Sequence, residues 1–439
     1  MQPLWQRRLS MFNKFRFWKK PYCLVLGGGG NKGVYQMGVW KALMEDHIRI
    51  EAIIGTSVGS VNAAFMASSE YKRVLDGWMN MDATDVFILP DGKLGRFTVL
   101  KEITKQMLTK GGMDMSRFRQ YISQFIDEAR IRKSGIDLGI VTFNINDLKP
   151  IEYFLENIPD GELITYVMAS SGLPGLQPNI INDKLFADGG FYDVIPYNTA
   201  RKRGYNRIIV VDISGIGHDK KDNNFGAETV FIKNSQDTGE IISFDHQMYE
   251  RNVRMGYLDT RKAFGHYNSD KYFFRINRRT IRSIDKLLTD DAIFDQYSRY
   301  MSLTDTDDTG RRNRLKLVRK TLPPDRAIHR IPEAMLIECA AEALNIDTLQ
   351  HDNVNLLINE IKNRLSEIRS AEHSDKDTKN VFDKIQRFGK IINTALFAGN
   401  ELIDIMLTEP EALKHLKFLS GFYPNLVPAL IFLTIVEKL

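Results

Sequence analysis

Cysteine is nearly absent from this chain. Cys23 and Cys339 lie far apart, each inside an apolar stretch, which argues against a disulfide framework, a redox motif or a zinc site and fits a reducing, intracellular setting. Charge of one sign is scarce as well. A net charge of +5 over 439 residues gives composition no ground for a nucleic-acid polymer as partner. Long hydrophobic runs are missing. The most apolar stretch, 418–436, is divided by Pro424, Asn425 and Pro428, and its cleaner part, 426–436, falls well short of the roughly 20 residues a bilayer span needs. A buried terminal helix is the expectation there. No internal repeat or low-complexity tract stands out. What is present is a soluble globular composition, 43% apolar and 26% charged, on a chain long enough for two structural parts.

Charge matters more by its placement. Residues 1–20 hold Arg7, Arg8, Lys14, Arg16, Lys19 and Lys20 without one acid, interleaved with Trp5, Phe12, Phe15, Phe17 and Trp18. Cations interrupt the arm too often for the apolar region of a secretory signal, and no small-residue cleavage site follows. As a helix it gathers Trp5, Leu9, Phe12 and Phe15, a pattern suited to peripheral contact with an anionic bilayer. An extension docked on its own protein, or a disordered one, fits the same residues.

From residue 22 to about 213, short apolar runs alternate with amphipathic stretches, the pattern of a mostly parallel sheet covered by helices. Strands are expected at 22–26, 52–54, 137–143, 151–154, 184–187 and 207–212, and helices at 34–46, 58–68, 116–133, 163–170 and 197–203. After the polar loop 215–226, strand signals become rare, with one at 272–276, and nearly everything later has helical periodicity. The expected organisation is an arm (1–20), an α/β catalytic domain (21–280) and a mainly helical C-terminal domain (281–439) with polar linkers at 304–310 and 370–380.

Three elements carry chemistry. The first is Gly27-Gly28-Gly29-Gly30-Asn31-Lys32-Gly33, directly after a strand and before a helix. Four consecutive glycines are entropically costly, so something requires bare backbone there. Gly28, Gly30 and Gly33 fit a dinucleotide fingerprint, but the acid that should end the next strand is missing, since Glu51 precedes that strand. A P-loop fails because Lys32 is not followed by Ser or Thr. Amides aimed at a developing negative charge remain a third use.

The second element is Ala52-Ile53-Ile54-Gly55-Thr56-Ser57-Val58-Gly59-Ser60, a strand, Gly-x-Ser-x-Gly and then a small-residue helix. This is the layout of a nucleophile elbow, in which the serine sits on a strained turn and the N–H of Val58 helps to hold an oxyanion. A serine needs an adjacent base. None of His218, His246, His266, His329, His351, His373 and His415 obviously follows a core strand. The third element is Phe186-Ala187-Asp188-Gly189-Gly190, an acid at the end of a strand where a parallel sheet presents catalytic groups. Asp188 is able to take the proton of Ser57 if the two meet, and on the same residues is also read as a turn aspartate capping its own backbone.

These three elements, in this order, resemble the signatures of the patatin-like phospholipases, bacterial members included. The resemblance covers residues 22–212, with Ala169-Ser170-Ser171-Gly172-Leu173-Pro174, and continues less firmly over 252–264 through Gly256-Tyr257-Leu258-Asp259-Thr260. It implies a three-layer α/β fold and hydrolysis of membrane phospholipid by a serine–aspartate dyad, with no histidine, metal or cofactor. Carried over by position, Ser57 is the nucleophile, Asp188 the base, and Gly28, Gly29, Gly30 and Lys32, with Val58, the oxyanion site. The sequence departs from the common form at Lys32, where arginine is more usual, and at Val58, where alanine is frequent. Lysine offers a point charge without arginine's fork.

Acyl transfer to another acceptor, or hydrolysis of a neutral lipid ester, would use the same groups. Some bacterial relatives are anti-phage effectors switched on by a cyclic nucleotide. Arg311, Arg312, Arg314, Lys316, Arg319 and Lys320 form a basic group that reads either as a phosphate site for such an activator or as a solvated helix face. For the helical part, covering the active site, homo-oligomerisation and ligand sensing are all open.

Overall fold

The computed structural model describes residues 20–68, 70–88, 114–172, 177, 179–215, 226–298, 300, 311–323, 331–371 and 423–439. The arm up to residue 19 and the linker 304–310 lie outside them, as does most of the linker 370–380. The chain forms two compact units, Met1–Phe264 and Gly265–Leu439.

The first unit is built on one eight-stranded sheet: β1 (Tyr22–Leu26), β2 (Ile50–Thr56), β3 (Asp137–Asn144), β4 (Lys149–Phe154), β5 (Asn179–Ile181), β6 (Lys184–Asp188), β7 (Arg207–Asp212) and β8 (Glu228–Lys233). Its order is β5-β6-β3-β2-β1-β7-β8, with β4 also paired to β3. The pairs from β3 through β2, β1 and β7 to β8 are parallel; β4, β6 and β5 join antiparallel. β1 is buried at every position, as a central parallel strand covered on both faces must be. Cys23, Val25, Ile54, Val141 and Val210 form one core layer with Tyr197 and Ala200. Both cysteines are buried and neither forms a disulfide among the described residues.

Between the strands run α1 (Tyr35–Glu45), α2 (Val58–Ser68), α3 (Tyr71–Asn80), α4 (Ala83–Val86), α5 (Ser116–Ser123), α6 (Glu128–Lys133), α7 (Leu163–Ser170) and α8 (Tyr197–Lys202), and α9 (His246–Ala263) closes the unit. The single helix expected over 116–133 is two. Asp127 accepts the Arg130 N–H at 3.0 Å and so starts α6 anew. α9 contains the Gly-Tyr-Leu-Asp-Thr stretch and clamps α1: a Cβ on Gly256 would lie 2.1 Å from the Tyr35 carbonyl oxygen. The Tyr35 hydroxyl donates to Asp259 at 2.9 Å. β8 was not legible as a strand, being an edge strand with Phe231 half exposed.

In the second unit the described elements are helices: α10 (Arg278–Leu288), α11 (Asp291–Ser298), α12 (Arg311–Thr321), α13 (Pro332–Ala343), α14 (Val354–Ala371) and α15 (Leu426–Ile435). α15 is the buried terminal helix expected from the sequence. Residues 272–276 do not form a strand. Their apolar side chains are buried, but their amides are met by side chains: Ser269 Oγ accepts the Phe274 N–H, Asn268 accepts that of Ile276, and Glu338 that of Tyr272. Of the basic group on α12, Arg314 pairs with Asp291 at 2.6 Å and stacks on Phe294, while Arg319 lies 3.7 Å from Glu333. Among the described residues no helix is long and apolar enough to cross a membrane.

Candidate active site

The site forms at the C-terminal ends of β1, β2 and β6. β2 ends at Thr56 and α2 begins at Val58, leaving Ser57 alone in the turn with φ 57°, a left-handed conformation that a non-glycine residue adopts only when its surroundings enforce it. Gly59 shows why the elbow needs its glycines. A Cβ there would lie 2.2 Å from the Leu26 carbonyl oxygen, so any side chain would drive α2 off β1. The Ser57 N–H donates to Ser170 Oγ at 2.9 Å, and its carbonyl accepts the Ser60 hydroxyl at 2.6 Å.

Asp188 ends β6, opposite Thr142 of β3. Its Oδ1 accepts the Gly190 N–H at 2.7 Å, so the turn-cap reading holds for one carboxylate oxygen. Oδ2 is buried and makes no hydrogen bond of good geometry, although the Ser57 hydroxyl lies close enough to favour the ionised form. Burial outweighs that help and pushes the Asp188 carboxyl up to about 6. Ser57 and Asp188 are both almost fully buried.

The glycine loop passes beside Ser57: a Cβ on Gly28 would stand 2.9 Å from that of Ser57. Its amides divide into two groups. Gly28 N–H donates to the Val194 carbonyl at 3.0 Å and Lys32 N–H to that of Gly29 at 3.3 Å, which leaves neither free to bind an oxyanion in this conformation. The N–H groups of Gly29 and Gly30 meet no acceptor among the described residues. That of Val58 lies in the first turn of α2, where amides lack intrahelical partners. Lys32 turns its ammonium to the Ser214 carbonyl at 3.1 Å. Asn31, to which the sequence pattern assigns no role, ties the loop to α9 through the Tyr249 hydroxyl at 2.7 Å and to the segment before α9 through the Ser243 carbonyl at 2.5 Å.

Behind the loop is a network with only a faint sequence signal, one amide in an otherwise small and apolar helix. Asn62 donates to the Gly33 carbonyl and to Gln36 and accepts from the Trp78 indole, and Gln36 donates to the Gly27 carbonyl at 2.8 Å. Every member is buried. Satisfied networks of this kind hold a loop in one conformation.

Ser57 opens onto a cavity of about 120 Å³, walled by Trp78, Met81, Val86, Phe87, Met115, Phe118, Ile241 and Ile242, with Gly30, Asn31, Val58 and Ser171 at the same wall as the serine. Among the described residues no histidine lines it, and no group of His, Cys, Asp and Glu is arranged to hold a metal ion. An apolar cleft with a few convergent polar groups suits an acyl chain with a reactive carbonyl at its end.

Ser57 thus sits on a strand–turn–helix elbow of a mainly parallel sheet, beside a buried carboxyl and a run of glycine amides. Residues 24–201 match the model of the patatin-like phospholipase family, and the chain carries that domain. Curated relatives include a lysophospholipase NTE1 from Candida albicans, 28% identical over 221 residues, 46% of this chain and 14% of that protein. Another from Aspergillus terreus is 31% identical over 194 residues, 44% of this chain and 12% of that protein. The matches thus span about one seventh or less of those relatives. Among solved structures, VipD from Legionella pneumophila aligns with a TM-score of 0.38 and 13% identity over 95% of this chain and 91% of that one.

Proposed function

We propose that the protein is a lipid acyl hydrolase of phospholipase A or lysophospholipase type, acting through Ser57 and Asp188 on the fatty-acyl esters of membrane glycerophospholipids. The observation that carries this reading is a strained serine whose hydroxyl lies near a buried carboxyl with no other partner on its second oxygen, at the wall of an apolar cavity. The domain match and the lysophospholipase relatives support it.

The reaction proceeds in two halves. Asp188 takes the hydroxyl proton as Ser57 Oγ bonds to the ester carbonyl carbon, and the carbonyl oxygen becomes an oxyanion held by the amides of Gly29, Gly30 and Val58. The ester C–O bond then breaks, and the leaving alkoxide recovers the proton from Asp188. Water, deprotonated by the same carboxylate, attacks the acyl carbon; the Ser57 Oγ–acyl bond breaks, Ser57 recovers the proton from Asp188, and fatty acid leaves. A carboxyl raised towards 6 is a better base than an ordinary aspartate yet still ionised at pH 7. Loss of a single oxyanion donor costs on the order of 100-fold in rate. Peripheral contact with a bilayer through the basic N-terminal arm belongs to the same proposal.

The test is release of free fatty acid from vesicles of phosphatidylcholine and from lysophosphatidylcholine. Wild-type protein should release it and the folded Ser57→Ala protein should not; equal release by both would reject the assignment.

A further inference from the structure

The Ser170-Ser171-Gly172 segment lies at the C-terminal end of α7, where the last carbonyls of a helix have no intrahelical donors. Here those free ends, and the two hydroxyls beside them, are spent on both halves of the site. Ser170 Oγ accepts the Ser57 N–H at 2.9 Å, and Ser171 Oγ shares its one proton between the Val167 carbonyl at 3.1 Å and the Ser57 carbonyl at 3.3 Å. The Gly172 carbonyl accepts the Asp188 N–H at 2.9 Å.

The direction of the Ser170 bond is forced. Ser170 Oγ also lies 2.6 Å from the Val141 carbonyl, which accepts only, so the hydroxyl proton goes to Val141 and a lone pair faces the Ser57 N–H. Ser170 is fully buried, so no water replaces it. Thr142, the residue paired with Asp188 across β3 and β6, places its own hydroxyl between the Ala169 and Ala187 carbonyls, at 3.0 and 2.9 Å. One short stretch of chain thereby contacts the backbone of residue 57, the backbone of residue 188, and the strand between them.

We infer that Ser170 is a positioning residue for the reaction, holding Ser57 in its left-handed conformation and at a fixed separation from Asp188, with Ser171 as a weaker second clasp. It touches no substrate. It acts by keeping the serine peptide from relaxing to an ordinary φ, which would swing Oγ away from the carboxylate. Displacement of a reacting atom by about 1 Å costs on the order of 100-fold in rate.

This inference rests on the dyad reading, and the experiment separates the two. Ser170→Ala, Ser170→Thr, Ser171→Ala and Ser57→Ala are assayed on a soluble ester, and the rate of Ser57 labelling by a fluorophosphonate is measured alongside thermal melting. For Ser170→Ala we expect kcat to fall on the order of 100-fold, KM to stay within about twofold, and labelling to slow in parallel. Ser170→Thr keeps the hydroxyl and should recover most of the rate.

A folded Ser170→Ala protein with wild-type kcat overturns the inference, as does a folded Ser170→Thr no better than Ser170→Ala. Should Ser170→Ala fail to fold, the partly exposed Ser171→Ala carries the test: several-fold lower kcat at unchanged melting is expected, and an unchanged kcat contradicts it. Activity persisting in Ser57→Ala would instead remove the dyad itself.

Discussion

Each unit of this molecule buries a carboxylate, and the two are treated in opposite ways. Glu338, in the helical unit, is fully buried, and its Oε1 accepts three successive backbone N–H groups, from Asp270, Lys271 and Tyr272, at 2.7, 2.9 and 3.0 Å. Asp188, in the α/β unit, receives one backbone N–H on Oδ1 and has Oδ2 buried without a well-formed hydrogen bond. A carboxylate whose oxygen is saturated by main-chain donors is part of the architecture. One that is desolvated and left with an open oxygen beside a serine has the setting that the proposed base requires.

The comparison breaks most sharply on activity. Ser57→Ala and Asp188→Asn should each lower fatty-acid release by about 1000-fold or more, the scale on which members of a catalytic unit act, while both proteins keep their far-ultraviolet circular dichroism. Next in size is the structural acid. Glu338→Ala strands three amides, and at about 1–3 kcal/mol for each buried unsatisfied group the helical unit should lose at least about 3 kcal/mol in a urea titration. Glu338→Gln, which keeps an acceptor oxygen, should lose clearly less.

The third prediction turns the same logic round. A folded-state carboxyl raised from 3.8 to about 6 holds its proton more tightly than in the unfolded chain, so stability falls as pH rises from about 4 to 6 and stays lower above that window. Asp188→Asn removes the buried charge and should therefore be more stable than wild type at pH 8, by roughly 2–3 kcal/mol, with no gain at pH 3. A destabilised variant at pH 8 would place Asp188 among the architectural acids with Glu338. Last, kcat/KM on a soluble ester should rise about tenfold between pH 5 and 7 and level off above an inflection near 6, because the base works only when ionised.

Much of the site was legible in the sequence because its constraints are local. The elbow follows from Gly55, Ser57 and Gly59 on the end of an apolar strand, and the strands at 22–26 and 207–212 are found where their apolar runs place them. The parts that escaped depend on partners far along the chain. Residues 272–276 have the composition of a strand, yet the Tyr272 amide is taken by Glu338, 66 positions later, while the nearby Ser269 and Asn268 take those of Phe274 and Ile276. The division of labour in the glycine loop was hidden for the same reason: Gly28 looks as available as Gly29 until the Val194 carbonyl, 166 positions later, is seen to occupy its amide. The break before α6 was in principle readable, since Asp127 is a good helix cap, but the apolar spacing of 116–133 ran through it.

The central claim is that one hydroxyl, at residue 57, is made nucleophilic by its surroundings. Mass spectrometry of the protein after reaction with a fluorophosphonate ester tests this at the atom concerned. The account predicts a single adduct on the peptide carrying Ser57, absent in Ser57→Ala and strongly slowed in Asp188→Asn. An adduct on another residue, or wild-type protein that cleaves lipid while residue 57 stays unmodified, would contradict it.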